Sequence, residues 1–480
     1  MLGRLYVLVP QEKRKYAGKA MAFLITWLAY SIVSAARQCN AVAKAPLSDK
    51  TTGWAPFQGK DSDELLGYID TSFMAAYTIG MPFMGRLADR VNVSLFLGLT
   101  MIGGAVCLCL VGLARSWSIH NAYYFYMVTF FCGLMQSAAF PCALAPLSNW
   151  FGKTKMGTTI GFWASSSPIG NIIGKTLCTF CLARWAWPQV YYVPALVVTC
   201  TAVLVMLFLV PDPYHVQLLR PGEARQIRQT QEGGAARTAD DLIAARHRET
   251  QEEELVPLGQ LLRLPSLIAY CAALLFAKLV YYAFTNWLTF YLTTIGFSED
   301  RAGYMSTLFD WGGFVGGIAG GAISDKLGSR GVVCTLFQLA ACVLTYVYMA
   351  CAPSAGYGGN MAILFVLGAC ISTPYNLISS VASIDLGRHP LLQGNSKAKA
   401  TIIGILDGTG SFGACVQGIL VGFIKTNWGW DAVFYALIFI SFVSACAMIS
   451  PARTEMRARN RNVNQVLPFL EDTSQSKSAS

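Results

Sequence analysis

Residues 21–44 read MAFLITWLAYSIVSAARQCNAVAK. The stretch is apolar for long enough to cross a bilayer, since about 20 such residues span ~30 Å of hydrocarbon. Arg37 lies inside it. A guanidinium at membrane depth costs roughly 2.5–3.5 kcal/mol even on the most lenient insertion scale. The nearest carboxylate along the chain is Asp49, too far away in sequence to neutralise it locally. Arg37 therefore pairs with a carboxylate from another helix, snorkels to an interface, or faces a cavity that admits an anion.

The rest of the 480 residues repeats the pattern of that stretch. Charged residues make up 13% and hydrophobic residues 54%, against about 25% charged in an ordinary soluble protein. This balance excludes a soluble enzyme and points to an all-α polytopic membrane protein. The net charge of +10 then reads as loop charge that orients the chain, not as a nucleic-acid signal. Most of the 15 cysteines lie in apolar runs and act as small hydrophobes. The Cys178–Cys181 pair sits within one such run and reads as packing rather than redox or metal chemistry.

Twelve apolar segments stand out, at residues 20–43, 66–88, 94–114, 121–145, 157–181 and 187–210, then 264–294, 303–323, 331–352, 360–386, 400–425 and 431–450. They divide the chain into an N-terminal segment (1–19), a first six-helix bundle (20–210), a polar linker (211–256), a second six-helix bundle (257–450) and a polar, Ser-rich tail (451–480) expected to be unstructured. Basic residues cluster at alternate loops: Lys13, Arg14 and Lys15, then Arg86 and Arg90, Lys153 and Lys155, Lys326 and Arg330, and Arg388, Lys397 and Lys399. The loops between them are acidic or mixed, as at Asp61, Asp63 and Glu64. The positive-inside rule puts both termini and the linker in the cytoplasm. The Asn92-Val-Ser sequon falls on that side, where it is expected to stay unglycosylated.

One motif occurs twice. GRLADR (85–90) follows the second segment and GAISDKLG (321–328) the eighth, the second of its own half. Both fit G-x-x-x-D-[RK], with Gly85, Asp89 and Arg90 in one and Gly321, Asp325 and Lys326 in the other. A glycine permits close helix approach, an aspartate charges a helix end, and the cation can pair across to the neighbouring bundle. Two copies at equivalent places mark an internally duplicated chain.

With these features the sequence resembles the major facilitator superfamily, and within it the organophosphate:phosphate antiporters, specifically their eukaryotic sugar-phosphate exchanger branch. The segments that carry the resemblance are AYTIGMPFMGRLADR (76–90), NWFGK (149–153), FAKLVYY (276–282) with NWL (286–288), LFDWGG (308–313), and GNSKA (394–398) with DGTGSFGA (407–414). The resemblance implies two bundles around a central cavity, opening alternately to each side. It implies exchange of an organic phosphate, such as glucose 6-phosphate or glycerol 3-phosphate, for inorganic phosphate, by a monomer, with no cofactor and no metal, in the endoplasmic reticulum membrane. It also implies that Arg37 and Lys278, on the first and seventh segments, hold the phosphoryl group. Tyr30 and Tyr77 match cavity tyrosines, and Asp310 matches an acidic cavity position. The chain departs from bacterial relatives at Met81, where they carry lysine. It departs from the family again at Ser166 and Ser167, where a cavity histidine is expected.

Each choice has a plainer counterpart. Tyr30 and Tyr77 either line the cavity or simply pack. Asp310 is expected as a charge partner of Lys278 or Arg37 rather than a ligand. Asp407 either compensates a cation or bends its glycine-rich helix. Asp70 either compensates a cation or is structural. Gly312, Gly313, Gly316, Gly317, Gly320 and Gly321 are expected to form a close-packing face. Two readings compete with phosphate-ester exchange: a transporter-like receptor for a phosphate ester, and a carrier of another organic anion.

Overall fold

The structure, a computed structural model, describes residues 11–88, 90–216, 218, 263–264, 266–382 and 396–478. Helices form almost all of it. The first half contains α1 (Gln11–Ser48), α2 (Ser62–Ala88), α3 (Val93–Leu113), α4 (Ala122–Gln136), α5 (Ala139–Trp163), α6 (Ser166–Arg184) and α7 (Gln189–Phe208). The second half contains α8 (Leu267–Thr294), α9 (Glu299–Leu327), α10 (Arg330–Cys351), α11 (Gly356–Asn376) and α12 (Ser396–Ser478). A π-helical turn, Leu377–Ala382, extends α11.

Local chemistry sets many of the boundaries. Asn92 caps α3 by accepting from the backbone of Ser94 and Leu95, at 3.1 and 3.3 Å. The sequon asparagine is thus engaged as a helix cap. Asn121 caps α4 in the same way, accepting from the Tyr123 amide at 2.9 Å. Asp49 ends α1 with a tight turn, accepting from the Thr51 hydroxyl and from the Thr51 and Thr52 amides. These donors hold its carboxyl well below the usual range. Asp63 and Glu64 occupy the first turn of α2, and Glu299 and Asp300 that of α9, where carboxylates oppose the positive end of the helix dipole.

Helix occupies each of the twelve expected segments, and the described residues include eight helices long and apolar enough to cross a membrane. The last of these, residues 404–457, folds back at Gly429, whose φ of 80° breaks the helical run. The helices α2, α6 and α9 fall outside that group. Each of the three carries a buried charge, Asp70 in α2, Lys175 in α6 and Asp310 in α9, as do α1 with Lys44 and α8 with Lys278.

Two expectations change. The polar break expected between residues 145 and 157 is helical, and the interruptions lie instead at residues 137–138 and 164–165. There Ser137 and Ser165 turn their hydroxyls onto the carbonyls of Leu134 and Phe162, both at 2.7 Å, which competes with the helical ladder. The tail expected to be unstructured continues α12 past Pro451 to Ser478. Glu455 anchors the start of this extension, accepting from the Ser329 hydroxyl, the Gly331 amide and the Tyr270 hydroxyl at 2.8, 2.8 and 2.6 Å. Most of the linker (219–262) and the loop 383–395 lie outside the described residues.

The glycine face of α9 behaves largely as expected. A side-chain carbon on Gly312 would sit 1.8 Å from the Phe365 carbonyl oxygen, and one on Gly316 2.6 Å from Ala369 Cα. The α9 and α11 backbones therefore approach at a distance only glycine allows. Gly321 does not belong to this face, because nothing lies within 4 Å of the carbon it would carry. Overpacking such a face costs typically 1–3 kcal/mol. Gly312→Val is thus expected to lower the thermal midpoint of the detergent-purified protein by several degrees, and Gly321→Ala to leave it unchanged. Equal midpoints for both variants and the wild type would show that the approach is not fixed by the glycine.

Candidate functional site

The site starts from one face of α1. Tyr30, Ser34, Arg37, Gln38 and Lys44 recur at helical spacing. Arg37, Ser34 and Gln38 line a cavity between the two halves, shared with Asp70, Gln136 and Asn171 of the first half and with Tyr281, Tyr282, Thr285 and Asn286 of the second. Arg37 Nε donates to Gln136 Oε1 at 3.0 Å. Its guanidinium carbon lies 4.6 Å from the Tyr77 ring centroid and 5.9 Å from that of Tyr30. These ring faces stabilise a cation without cancelling its charge. Nη2 is buried with no hydrogen-bond partner. No carboxylate pairs with Arg37 among the described residues.

Lys278 enters from α8 and is 5% exposed. Its Nζ donates to Asp407 Oδ1 at 2.6 Å, within the same half. The Asp407 side chain is 22% exposed, so this pair is wetter than Lys44–Asp70 and Lys175–Asp310. The Tyr30 ring lies by Arg37, and the Tyr375 ring lies by Lys278 at 5.8 Å from its ammonium. The structure therefore brings Tyr30, Tyr77, Arg37, Lys278 and Asp407 into one region. Of the two readings of Asp407, the structure has the one in which it compensates a cation, Lys278.

Asp310 and Asp70 go elsewhere. Asp310 pairs with neither Lys278 nor Arg37. Its partner is Lys175, on α6 of the opposite half, at 2.6 Å, and both side chains are fully buried. Asp310 also accepts from Asn171 Nδ2 at 3.1 Å, so both of its oxygens are engaged. Asp70 pairs with Lys44 at 2.5 Å. Lys44 also donates to the backbone oxygen of Asn286 across the halves, at 3.0 Å. A further cross-half pair joins Lys425 to Asp63. Sequence reasoning passed over Lys44, Lys175 and Lys425. The signal was present for Lys175, a lone cation in the apolar run NIIGKTLCTF (171–180), just as it was for Arg37.

The contacts between the halves gather toward one end. Gly67 packs on Gly418, where a side-chain carbon would come within 2.3 Å of the Gly418 oxygen. Thr71 donates its hydroxyl to the Cys415 carbonyl at 3.1 Å, and Gly303 packs on Thr179. This end carries the loop at residues 49–61. The duplicated motif lies at the other end. Arg90, Asp325 and Lys326 are exposed there, Gly85 is nearest Pro141 of its own half at 3.8 Å, and Gly321 faces open space. Asp89 lies outside the described residues. Among the described residues of the motif, no ion pair joins the two bundles in this conformation.

A family model described as Major Facilitator Superfamily matches residues 26–390. The chain is similar to "Putative glycerol-3-phosphate transporter 3" of Arabidopsis thaliana, 36% identical over 445 residues that cover 89% of this chain and 85% of that protein. It is also similar to "Glucose-6-phosphate exchanger SLC37A2" of Danio rerio, 34% identical over 426 residues, or 86% and 85% of the two chains. Among solved structures, a D-xylose–proton symporter superposes with a TM-score of 0.62 at 12% identity, covering 91% of this chain and 96% of that one. A bacterial homologue of the human lysosomal transporter Spinster, inward-facing and occupied, gives 0.60 at 13% identity, covering 92% and 97%. Identities this low speak for the fold alone.

The buried Lys175–Asp310 pair yields a stability prediction. Removing one partner of a buried pair costs about 3–5 kcal/mol, because a charge is left uncompensated. Lys175→Met is expected to destabilise the purified protein strongly, and Lys175→Met with Asp310→Leu to recover much of the loss. A double variant no more stable than Lys175→Met would contradict the pairing.

Proposed function

The chain belongs to the Major Facilitator Superfamily, and we propose that within it the protein exchanges a sugar phosphate or glycerol phosphate for inorganic phosphate. The observation that carries this reading is Arg37, a cavity-lining cation with no carboxylate partner among the described residues and a buried, unpartnered Nη2. A phosphate monoester carries about −1.5 to −2 charges near neutral pH. Guanidinium offers it a planar fork, and Lys278 offers a compact second charge from the other half. Inorganic phosphate and its esters present the same group, so one pair of cations serves both. The names of the similar proteins, glycerol-3-phosphate transporters and glucose-6-phosphate exchangers, support the same cargo class.

The pairing of Lys278 with Asp407 refines the coupling. Empty, that pair is neutral and Arg37 alone is uncompensated. Closing the cavity over an unpaired guanidinium would carry a desolvation penalty of several kcal/mol. A bound anion removes that penalty, so the loaded carrier reorients and the empty one does not. The anion competes with Asp407 for Lys278, which draws a contact between the halves out of one within a half. Both cations come from a single chain, which supports a monomeric transport unit.

This multi-pass membrane protein is oriented by its basic loops, which support cytoplasmic termini. The joined end, at the 49–61 loop, is then the non-cytoplasmic one, and the conformation is inward-facing. The branch resemblance favours the endoplasmic reticulum membrane.

Phosphate counterflow in proteoliposomes tests the reading. Arg37→Ala is expected to abolish exchange of phosphate and esters alike, since losing one partner of a desolvated charged contact costs about 2–5 kcal/mol, or tens- to thousands-fold in affinity. Arg37→Lys is expected to be severely impaired as well, because it keeps charge but loses the fork. A folded Arg37→Ala carrier exchanging phosphate at the wild-type rate would refute the role. Asp407→Asn leaves Lys278 uncompensated and is expected to tighten phosphate binding while slowing turnover. Weaker binding in that variant would show that Asp407 does not compete with the anion.

A further inference from the structure

Besides Thr285 Oγ1 on α8, two buried oxygens in the cavity lack hydrogen-bond partners: Gln38 Oε1 and Ser34 Oγ, on residues 3% and 1% exposed. Both residues line the cavity beside Arg37, on the same face of α1. A buried polar atom without a partner is costly, and at a cavity wall a bound ligand can satisfy it.

The Gln38 amide is not free to turn. Lys175 holds Asp310 Oδ2 at 2.6 Å. The other carboxylate oxygen accepts from Asn171 Nδ2 at 3.1 Å, and an ionised carboxylate can only accept. The nitrogen of Asn171 is therefore fixed toward Asp310, and its Oδ1 faces Gln38. Gln38 Nε2 donates to that oxygen at 2.9 Å. A buried ion pair thus orients two amides in series and leaves Gln38 Oε1 presented as an acceptor. Only a donor satisfies it, and a phosphate oxygen that lacks a proton does not.

We propose that Gln38, oriented through Asn171 by the Lys175–Asp310 pair, reads a hydroxyl on the organic part of the cargo, with Ser34 as a second contact, so that the site selects phosphate esters of polyols. The proposal rests on the phosphate reading of Arg37. On α8, Thr285 of the same cavity wall stands seven residues beyond Lys278, about 10 Å further along the helix at 1.5 Å per residue. The organic group accordingly points away from Lys278 toward the joined end, where Thr285 and Asn286 line the cavity and Asp70, also in its lining, is neutralised by Lys44. Gln38 acts on specificity, and Asn171 is a positioning residue behind it.

The test uses the reconstituted full chain, phosphate:phosphate exchange, and competition by glycerol 3-phosphate and by ethyl phosphate, which has no hydroxyl outside its phosphoryl group. Wild type is expected to prefer glycerol 3-phosphate. Gln38→Leu should weaken glycerol 3-phosphate about tenfold relative to ethyl phosphate and to phosphate itself, as expected for one lost buried hydrogen bond. Ser34→Ala deletes a single oxygen and carries the same test, with a smaller shift in the same direction, if Gln38→Leu does not accumulate. Normal phosphate exchange with an unchanged preference between the two esters in these variants would overturn the subsite and leave the phosphate reading standing. Absence of phosphate:phosphate exchange in the wild type would overturn that parent reading, and this one with it.

Discussion

A guanidinium without a counter-charge in a low-dielectric interior is the constraint on which the site depends. Four interior lysines, Lys44, Lys175, Lys278 and Lys425, each have a carboxylate of their own: Asp70, Asp310, Asp407 and Asp63. Arg37 has two tyrosine faces and one amide oxygen. Cation–π contacts and a neutral acceptor orient the fork and lower its cost, yet they leave its net charge for a ligand. The contrast between paired lysines and the unpaired arginine separates scaffold from site more sharply than burial does.

The paired lysines have a second function, since two of the ion pairs join the halves and Lys44 reaches across to the Asn286 carbonyl. Lys175–Asp310 links α6 to α9, and Lys425–Asp63 links the first arm of α12 to α2. Buried pairs add little net stability, because desolvation offsets their attraction. They do fix which residues face which. Glycines at 67, 303 and 418 bring the backbones near enough for such pairing, and a side chain at any of them would collide across the halves. The joined end is therefore held by specific contacts that a reorienting carrier must break together.

Much of this architecture is legible in the sequence, because a bilayer permits few solutions. Apolar runs of the right length, a duplicated loop motif and a lone arginine in the first run give the helical class, the two halves and one side of the cavity. Partner choice is not legible. Asp310 looked like a partner for Lys278 or Arg37, since all three are rare charges in apolar runs, and nothing local says that α6 brings Lys175 against it. Pairing is decided by which helices cross, which is a property of the packed bundle. The helical course of α12 beyond Pro451 was hidden for the same reason: the groups that anchor Glu455 come from Tyr270, Ser329 and Gly331, more than a hundred residues away.

The central claim, that Arg37 works because it has no internal counter-charge, is tested most directly by giving it one. Gln136 accepts from Arg37 Nε at 3.0 Å, so Gln136→Glu places a carboxylate at an existing contact with almost no change in volume. The arginine, the cavity shape and the helix packing are retained, and only the net charge offered to the ligand changes. Phosphate:phosphate exchange in proteoliposomes is predicted to be lost in this variant, with the thermal midpoint of the purified protein at or above that of the wild type. Exchange at the wild-type rate in Gln136→Glu would contradict the account.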